Sequence, residues 1–433
     1  MTNLPANPDF EQIRFQAKDI LKAHRTKNSS CCKVLRNLVR FSDVSDSAIL
    51  ASEIKLQEVQ FALAMEYGFE TWRDLKEVVS SRASSSTATI QREGAKTWLA
   101  GVPALNCRNE AGCVPPGQTS VIAALSRCLE TAGEKTSYEL LMGLSSHAFR
   151  FQFDWCPSAP HAFCGFNTAD PAVRAYGYSL TQHSTARPSH REDLDEPDEL
   201  SPAFRAAMLS IEMGIPGLMD WEESSVLCGY ERPEKGIAGL LGPGGKSIEK
   251  LPWSVGILNK ESTTPQRRDS ISWSLKTAIQ NAHATTLSGF SFAENQVMTY
   301  PAGLAAWRKW IGELNEAPEG FDYKEAQLGN AWTYECLLDA RRSAAVYLNG
   351  LISECAEAAQ ELAASAEHYR TVGDILEDGW AARNVWEEEP ERWAAKETRH
   401  RQAATLQNAM NSEEKAVGAL AAVVERLEGS ASS

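Results

Sequence analysis

Apolar residues recur at helical spacing toward both ends of the chain. Near the N-terminus the three- and four-residue spacing runs through the segments FEQIRFQAKDIL and IKLQEVQFALAMEYG. From residue 301 onward it continues almost to the end of the sequence, in segments rich in the strong helix formers Ala, Leu, Glu and Arg. The spacing therefore predicts a helical module over residues 8–80 and a C-terminal helical bundle over residues 301–428.

Residues 95–300 mix helical and strand periodicities. The segment SVIAALSRCLETAG, residues 120–133, has the spacing of a buried helix, and residues 148–153 alternate in the manner of a strand. Further short strands are predicted in GIPGLMDW, SSVLCGYE and KGIAGLLGPGG. Since strands and helices occur without regular βαβ alternation, the pattern predicts an α+β domain, which a small-polar linker over residues 81–94 joins to the N-terminal module.

Charge and composition narrow the set of partners. The chain has 433 residues and a net charge of -14, which disfavours a nucleic acid or an anionic membrane as the partner. It contains no apolar run long enough to span a bilayer, and its first residues lack the basic-then-apolar order of a signal peptide. We therefore expect a cytoplasmic protein, whose 10 cysteines are thiols rather than a disulfide framework.

The spacing of the cysteines does not favour a metal site. A set of soft ligands can be drawn from Cys107, Cys113, Cys156, His161 and Cys164. Their spacings do not match a compact zinc knuckle, so we predict no metal and no cofactor. Cys31 and Cys32 are adjacent, and adjacent side chains diverge on a helix, so the sequence gives them no joint role.

Residues 61–79, FALAMEYGFETWRDLKEVV, resemble a short helical module that precedes ankyrin repeats in bacterial proteins. The resemblance implies an appended helical module, with a helix ending at Gly68 and a second helix beginning near Thr71. Its aromatic residues are predicted to lie in the core: Phe61, Tyr67, Phe69 and Trp72.

Residues 121–230 resemble the papain-like fold of bacterial double-glycine peptidases and of the butirosin-biosynthesis acyltransferase group. The helix pattern of that family is matched by Ala124, Leu125, Leu129, Gly133, Tyr138, Leu141 and Gly143. GIPGLMDW and VLCGYE are similar to two of its strands. The resemblance implies a papain-like domain over residues 95–300, with amide or acyl chemistry in bacterial secondary metabolism.

The family's three catalytic positions hold other residues in this chain. Ser120 stands at the position of the nucleophilic cysteine, and Glu223 stands at the position of the histidine. The next strand region, LLGPGGK, contains no Asp or Asn to orient a base. Cys113 and Cys107 are candidate relocated thiols, and Gln118 is a candidate oxyanion donor. The resemblance therefore implies a triad that is altered or lost.

A cleft is predicted between the helix that begins at Ser120 and the strand that holds Cys228. Its lining is predicted to comprise His147, Phe149, Trp155, Trp221, Cys228 and Tyr230. The same aromatic side chains fit a packed core equally well, and a lone histidine is more often structural than catalytic.

Three functions stay open at the level of sequence. The first is catalysis by an amide hydrolase or acyltransferase. The second is non-catalytic binding of an amide- or acyl-containing small molecule or peptide. The third is interaction with a protein partner that docks on the helical ends. The replaced histidine and the missing Asp or Asn favour binding over catalysis.

Overall fold

A computed structural model describes most of the chain. The described residues are 10–69, 71–81, 88–105, 119–156, 168–185, 202–221, 224–233, 238–248, 251–291, 296–316, 318–381 and 390–431. The chain divides into two compact units, each built from separate segments. The first comprises Met1–Ala104, Glu130–Glu134 and Thr181–Leu258; the second comprises Leu105–Leu129, Lys135–Leu180 and Asn259–Ser433.

The first unit begins with helices, as predicted for this end of the chain. Its helices are α1 (Phe10–Arg25), α2 (Cys32–Leu35), α3 (Asp46–Ala51), α4 (Leu56–Glu66) and α5 (Trp72–Ser81). Gly68, at a φ of 87°, follows the end of α4 as predicted. Of the four aromatic residues predicted to be core, Tyr67 and Phe69 are buried and Trp72 packs on the core. The prediction is wrong for Phe61, which is 41% exposed because it lies on the solvent face of α4.

The first unit continues with small antiparallel sheets. The strands β1 (Thr89–Glu93) and β2 (Lys96–Ala100) form a hairpin. β1 therefore occupies the last part of the stretch predicted to be a linker. Helix α9 (Pro202–Glu212) precedes β4 (Gly217–Asp220), β5 (Ser224–Leu227), β6 (Gly229–Glu231) and β7 (Gly239–Leu241). One sheet has the order β1-β2-β6-β7, and another has the order β3-β8-β4-β5, with β3 at Tyr178–Ser184 and β8 at Ser254–Lys260.

The second unit is mostly helical. It contains most of α6 (Ser120–Thr131), together with α7 (Tyr138–Leu144), α8 (Ala169–Arg174) and α10 (Arg267–His283). A hairpin of β9 (Thr286–Ser291) and β10 (Gln296–Pro301) leads into the predicted C-terminal helices, which are confirmed. They are α11 (Gly303–Asn315), α12 (Tyr323–Leu351), α13 (Ala359–Ala381), α14 (Pro390–Ala394) and α15 (Lys396–Ala431).

A buried ion pair ties this helical core to residues 147–152. Arg341 on α12 and Glu413 on α15 have side chains that are 1% and 3% exposed, and their nearest charged atoms are 2.8 Å apart. Arg341 also donates to the carbonyl oxygens of Ala148 and Arg150, at 2.9 and 3.1 Å. The strand predicted over residues 148–153 is wrong for residues 148–150, because residues 147–149 form a 3₁₀ turn and the guanidinium takes the carbonyls of Ala148 and Arg150. Residues 151–153 do pair with residues 301–303, through an antiparallel bridge between Gln152 and Ala302 and backbone hydrogen bonds on either side of it.

The architecture is a mixed helix-and-strand chain with small antiparallel sheets and helices at both ends, as the sequence predicts at this level. None of the helices in the described ranges combines the length and the apolar composition that a membrane crossing requires.

Candidate functional site

Helix α6 places Ser120 at its first residue, where the family resemblance puts a nucleophile. Ser120 is 8% exposed, because the helix buries apolar side chains along its length. The backbone amide of Thr119, just before it, donates to the Tyr138 hydroxyl at 3.1 Å. That hydroxyl in turn donates to Asp339 Oδ2 at 2.6 Å. The start of α6 is thus joined to a tyrosine and a carboxylate.

Tyr138 is held in place from both sides. Ser137 caps α7 by accepting from the Leu140 amide at 3.2 Å, which fixes the helix turn that carries Tyr138. Burial, followed by the neighbouring charge of Asp339, raises the pKa of Tyr138 well above its ordinary value. The phenol therefore stays protonated and neutral at physiological pH. Its hydroxyl donates a hydrogen bond to Asp339, and it is not a base that could take a proton from a nucleophile.

Four of the predicted catalytic residues lie outside the described residues. They are Glu223, Cys113, Cys107 and Gln118. Their roles stay predictions, as does the role of Ser120.

His147 lies in the same unit as Ser120, on the 3₁₀ turn after α7. Its side chain is buried, and Nδ1 is 3.0 Å from the Thr168 hydroxyl. The preceding residue, Ser146, has a left-handed backbone with a φ of 61° and forms the turn that ends α7. The Ser146 hydroxyl is buried and has no hydrogen-bond partner among the described residues.

Phe149 and Trp155 pack within the second unit. Phe149 makes edge contacts with the rings of Tyr347 and Tyr369, at centroid distances of 6.2 and 5.4 Å. Trp155 is half-buried, and its indole nitrogen donates to Glu313 Oε2 at 2.7 Å. Both residues therefore take part in core packing, with edge-to-face geometry that stabilises aromatic clusters.

Tyr230 lies in the first unit, at the centre of a buried polar cluster. Its hydroxyl donates to Glu212 Oε1 at 2.5 Å, and Arg92 binds both oxygens of the same carboxylate at 2.9 and 2.8 Å. Burial and the Glu212 charge raise the pKa of Tyr230. The cluster joins β1, β6 and α9, and within it the Tyr230 hydroxyl is hydrogen-bonded to Glu212.

Cys228 and Trp221 are the remaining predicted lining residues. Cys228 is fully buried, and burial raises the pKa of its thiol to about 12. A thiol of this kind is almost entirely protonated at neutral pH, so it is a poor nucleophile. Trp221 donates its indole N–H to the Leu251 carbonyl at 3.0 Å.

The predicted lining residues are divided between the two units. His147, Phe149 and Trp155 belong to the second unit, with Ser120, whereas Trp221, Cys228 and Tyr230 belong to the first. Neither unit contains the whole set by itself, so the cleft stays a prediction.

Sequence reasoning missed the pairing of Tyr138 with Asp339. Tyr138 matches the family helix pattern, but Asp339 lies 201 residues further along the chain, and no local spacing points to it. Sequence reasoning also gave Cys31 and Cys32 no joint role, whereas both thiols lie in one core cluster and interact with each other.

No group of three or more metal-binding side chains is found within the described ranges. No disulfide joins any two of the cysteines within those ranges, which are Cys31, Cys32, Cys128, Cys156, Cys228, Cys336 and Cys355.

Comparison with models of known protein families and with curated proteins finds no match to this chain. Its function is therefore inferred from its own residues and their geometry.

Proposed function

We propose that the chain is a non-catalytic binding protein, built on a papain-like middle segment whose nucleophile, base and orienting residue have been replaced. The ligand class is the one that the resemblance implies, an amide- or acyl-containing small molecule or peptide. The proposed location is the cytoplasm, and the proposed setting is bacterial secondary metabolism.

The hydrogen bonds at the start of α6 carry this proposal. A nucleophile at a helix start needs a base that can take its proton. Tyr138, which accepts from the Thr119 amide next to Ser120, is a neutral phenol that already donates to Asp339, so Tyr138 cannot act as that base. A serine hydroxyl gains little from a helix dipole alone, since its pKa is far above neutral, so this arrangement favours binding over acyl transfer.

The state of the thiol of Cys228, which is predicted to line the cleft, is consistent with the same proposal. Burial holds Cys228 as a neutral thiol, with a pKa of about 12. Tyr230 and Trp221 use their polar atoms within the protein, which is the pattern of residues that support a scaffold.

Activity-based labelling tests the proposal. The folded chain is treated with a fluorophosphonate for serine and with iodoacetamide for cysteine, and the labelled residues are identified by peptide mapping. We expect no residue to be labelled faster than the same residue in the unfolded chain.

Ser120→Ala and a Cys107→Ala/Cys113→Ala double variant are the matched controls. Fast labelling of Ser120, or of either loop thiol, that disappears in the corresponding variant would show an activated nucleophile and overturn the proposal.

Docking of a protein partner through the N-terminal module is a second candidate, favoured by a specific observation. Three large apolar side chains in this module are well exposed: Phe15 at 57%, Val39 at 88% and Phe61 at 41%. Exposed apolar side chains of this size are common at interfaces when they cluster.

A photo-crosslinking residue at position 39 in intact cells tests this candidate, with the exposed Asp378 position as the control. We expect a discrete product at position 39 only, whose partner then binds the purified chain. Identical products at both positions would argue against docking by the module.

A further inference from the structure

Two adjacent cysteines in the N-terminal module share one buried environment. Cys31 ends a short 3₁₀ turn and Cys32 begins α2. Both residues are 2% exposed, and both belong to the core cluster of the module. The pair therefore places two sulfur atoms on consecutive residues within the same core.

Local contacts orient each thiol. Cys31 Sγ donates to the Asn28 carbonyl at 3.1 Å, and Cys32 Sγ lies 3.9 Å from the Asp46 carbonyl. Each thiol is also among the groups that shift the pKa of the other. Burial raises the pKa of both, to about 11 for Cys32, so both are neutral thiols at physiological pH.

Neutral paired thiols favour condensation with trivalent arsenic over alkylation and thiol–disulfide exchange. Alkylation and thiol–disulfide exchange need a thiolate, so both are slow here. Trivalent arsenic bearing hydroxyl groups reacts differently: each S–H proton leaves with one hydroxyl as water, and two As–S bonds form. The arsenic stays trivalent, and no oxidant or reductant is required.

The backbone favours a bridging atom over a direct disulfide. Both residues have right-handed helical angles, with φ and ψ of -75° and -21° at Cys31 and -63° and -34° at Cys32. A disulfide would require the sulfurs to approach to about 2.05 Å. An atom inserted between the two sulfurs joins them at a wider S···S separation than a disulfide. The short helical segment therefore has to move less to form the bridge.

We propose that Cys31 and Cys32 form a vicinal dithiol site that binds trivalent arsenicals. The site is independent of the α6 region, and the proposal does not depend on the function proposed above. The segment that carries it consists of a three-residue turn and a four-residue helix, and short elements of this kind open locally more readily than long ones. Local opening gives a small arsenical access to the buried sulfurs.

Phenylarsine oxide is the probe for this site. Condensation with two thiols releases one water and leaves a phenylarsenic bridge, which intact-mass spectrometry detects on the folded, reduced full-length chain. Trypsin releases residues 28–33, NSSCCK, as a peptide that contains both cysteines and no other. We expect the phenylarsenic bridge on this peptide. The dithiol 2,3-dimercaptopropanol should remove the bridge, whereas a monothiol should leave it in place.

Single variants provide the matched controls. Cys31→Ala and Cys32→Ala should each lose the bridged product, while Cys128→Ser, which removes a buried thiol with no cysteine next to it in the sequence, should retain it. Circular dichroism checks that each variant is folded. Peptide mapping of the wild-type adduct locates the bridge even if a variant does not fold. A bridge located on other cysteines, or one that forms only in the unfolded chain, would overturn the proposal.

Discussion

Gly143 lies where α7 meets the ring of Tyr347, and this contact predicts the outcome of adding one methyl group. A Cβ at Gly143 would lie 2.0 Å from Tyr347 Cγ and 2.3 Å from both Cδ atoms. The ring has little room to retreat, because Tyr347 is 2% exposed and its hydroxyl lies 2.8 Å from the Ser274 hydroxyl. Gly143→Ala must therefore displace either the ring or α7.

The expected cost follows from two opposing effects. Alanine gains up to about 1 kcal/mol over glycine in a helix interior. Overpacking a well-filled core costs typically about 1–3 kcal/mol, and a contact this short belongs at the upper end. We therefore expect Gly143→Ala to lower the free energy of unfolding by about 2 kcal/mol.

Urea unfolding followed by tryptophan fluorescence measures this change. The matched control is Gly312→Ala in α11, where a Cβ meets no atom within 4 Å. This variant should gain stability, by about 0.5–1 kcal/mol. In a Tyr347→Ala background the Gly143→Ala change should cost nothing, because the ring is gone. Equal effects of Gly143→Ala and Gly312→Ala would refute the reasoning.

Three other perturbations have defined outcomes. Arg341→Met leaves Glu413 buried without its partner and should cost about 3–5 kcal/mol in urea unfolding, most of which an added Glu413→Leu should restore. Ser146→Gly should stabilise the chain by about 1 kcal/mol, because it relieves a left-handed backbone, while Ser146→Ala should not; thermal unfolding separates the two. Because burial raises the pKa of Cys228 from 9.0 to about 12, the unfolded chain loses this proton first, so the unfolding free energy should fall between pH 9 and 12. In Cys228→Ala the unfolding free energy should fall less steeply over this pH range. Identical pH profiles of the wild type and this variant would contradict the prediction.

The helical ends were predictable because their order is local. The spacing of apolar residues indicated helical regions over residues 8–80 and 301–428, and Gly68 marked a helix end that does adopt a positive φ. The β1–β2 hairpin was missed because β1 follows directly on a small-polar stretch. Alternating residues in TIQRE and KTWLA were the available signal.

The errors and omissions come from contacts between residues distant in the sequence. Residues 148–153 alternate like a strand, and residues 151–153 do pair with residues 301–303, but Arg341, 193 residues after Ala148, takes the Ala148 carbonyl. The pairing of Tyr138 with Asp339 is equally distant. Periodicity reports which face of an element is buried, and it carries no information on which polar group from elsewhere meets that face.

The interleaving of the two units has a consequence for synthesis on the ribosome. The N-terminal module draws nearly all of its core from residues 13–79, so it can collapse soon after it emerges. The first unit as a whole is complete only after residue 258, and the buried partner of Arg341 arrives only with α15. Until then Arg341 has no carboxylate from α15 to neutralise it, so α15 must be translated before this buried ion pair of the second unit can form.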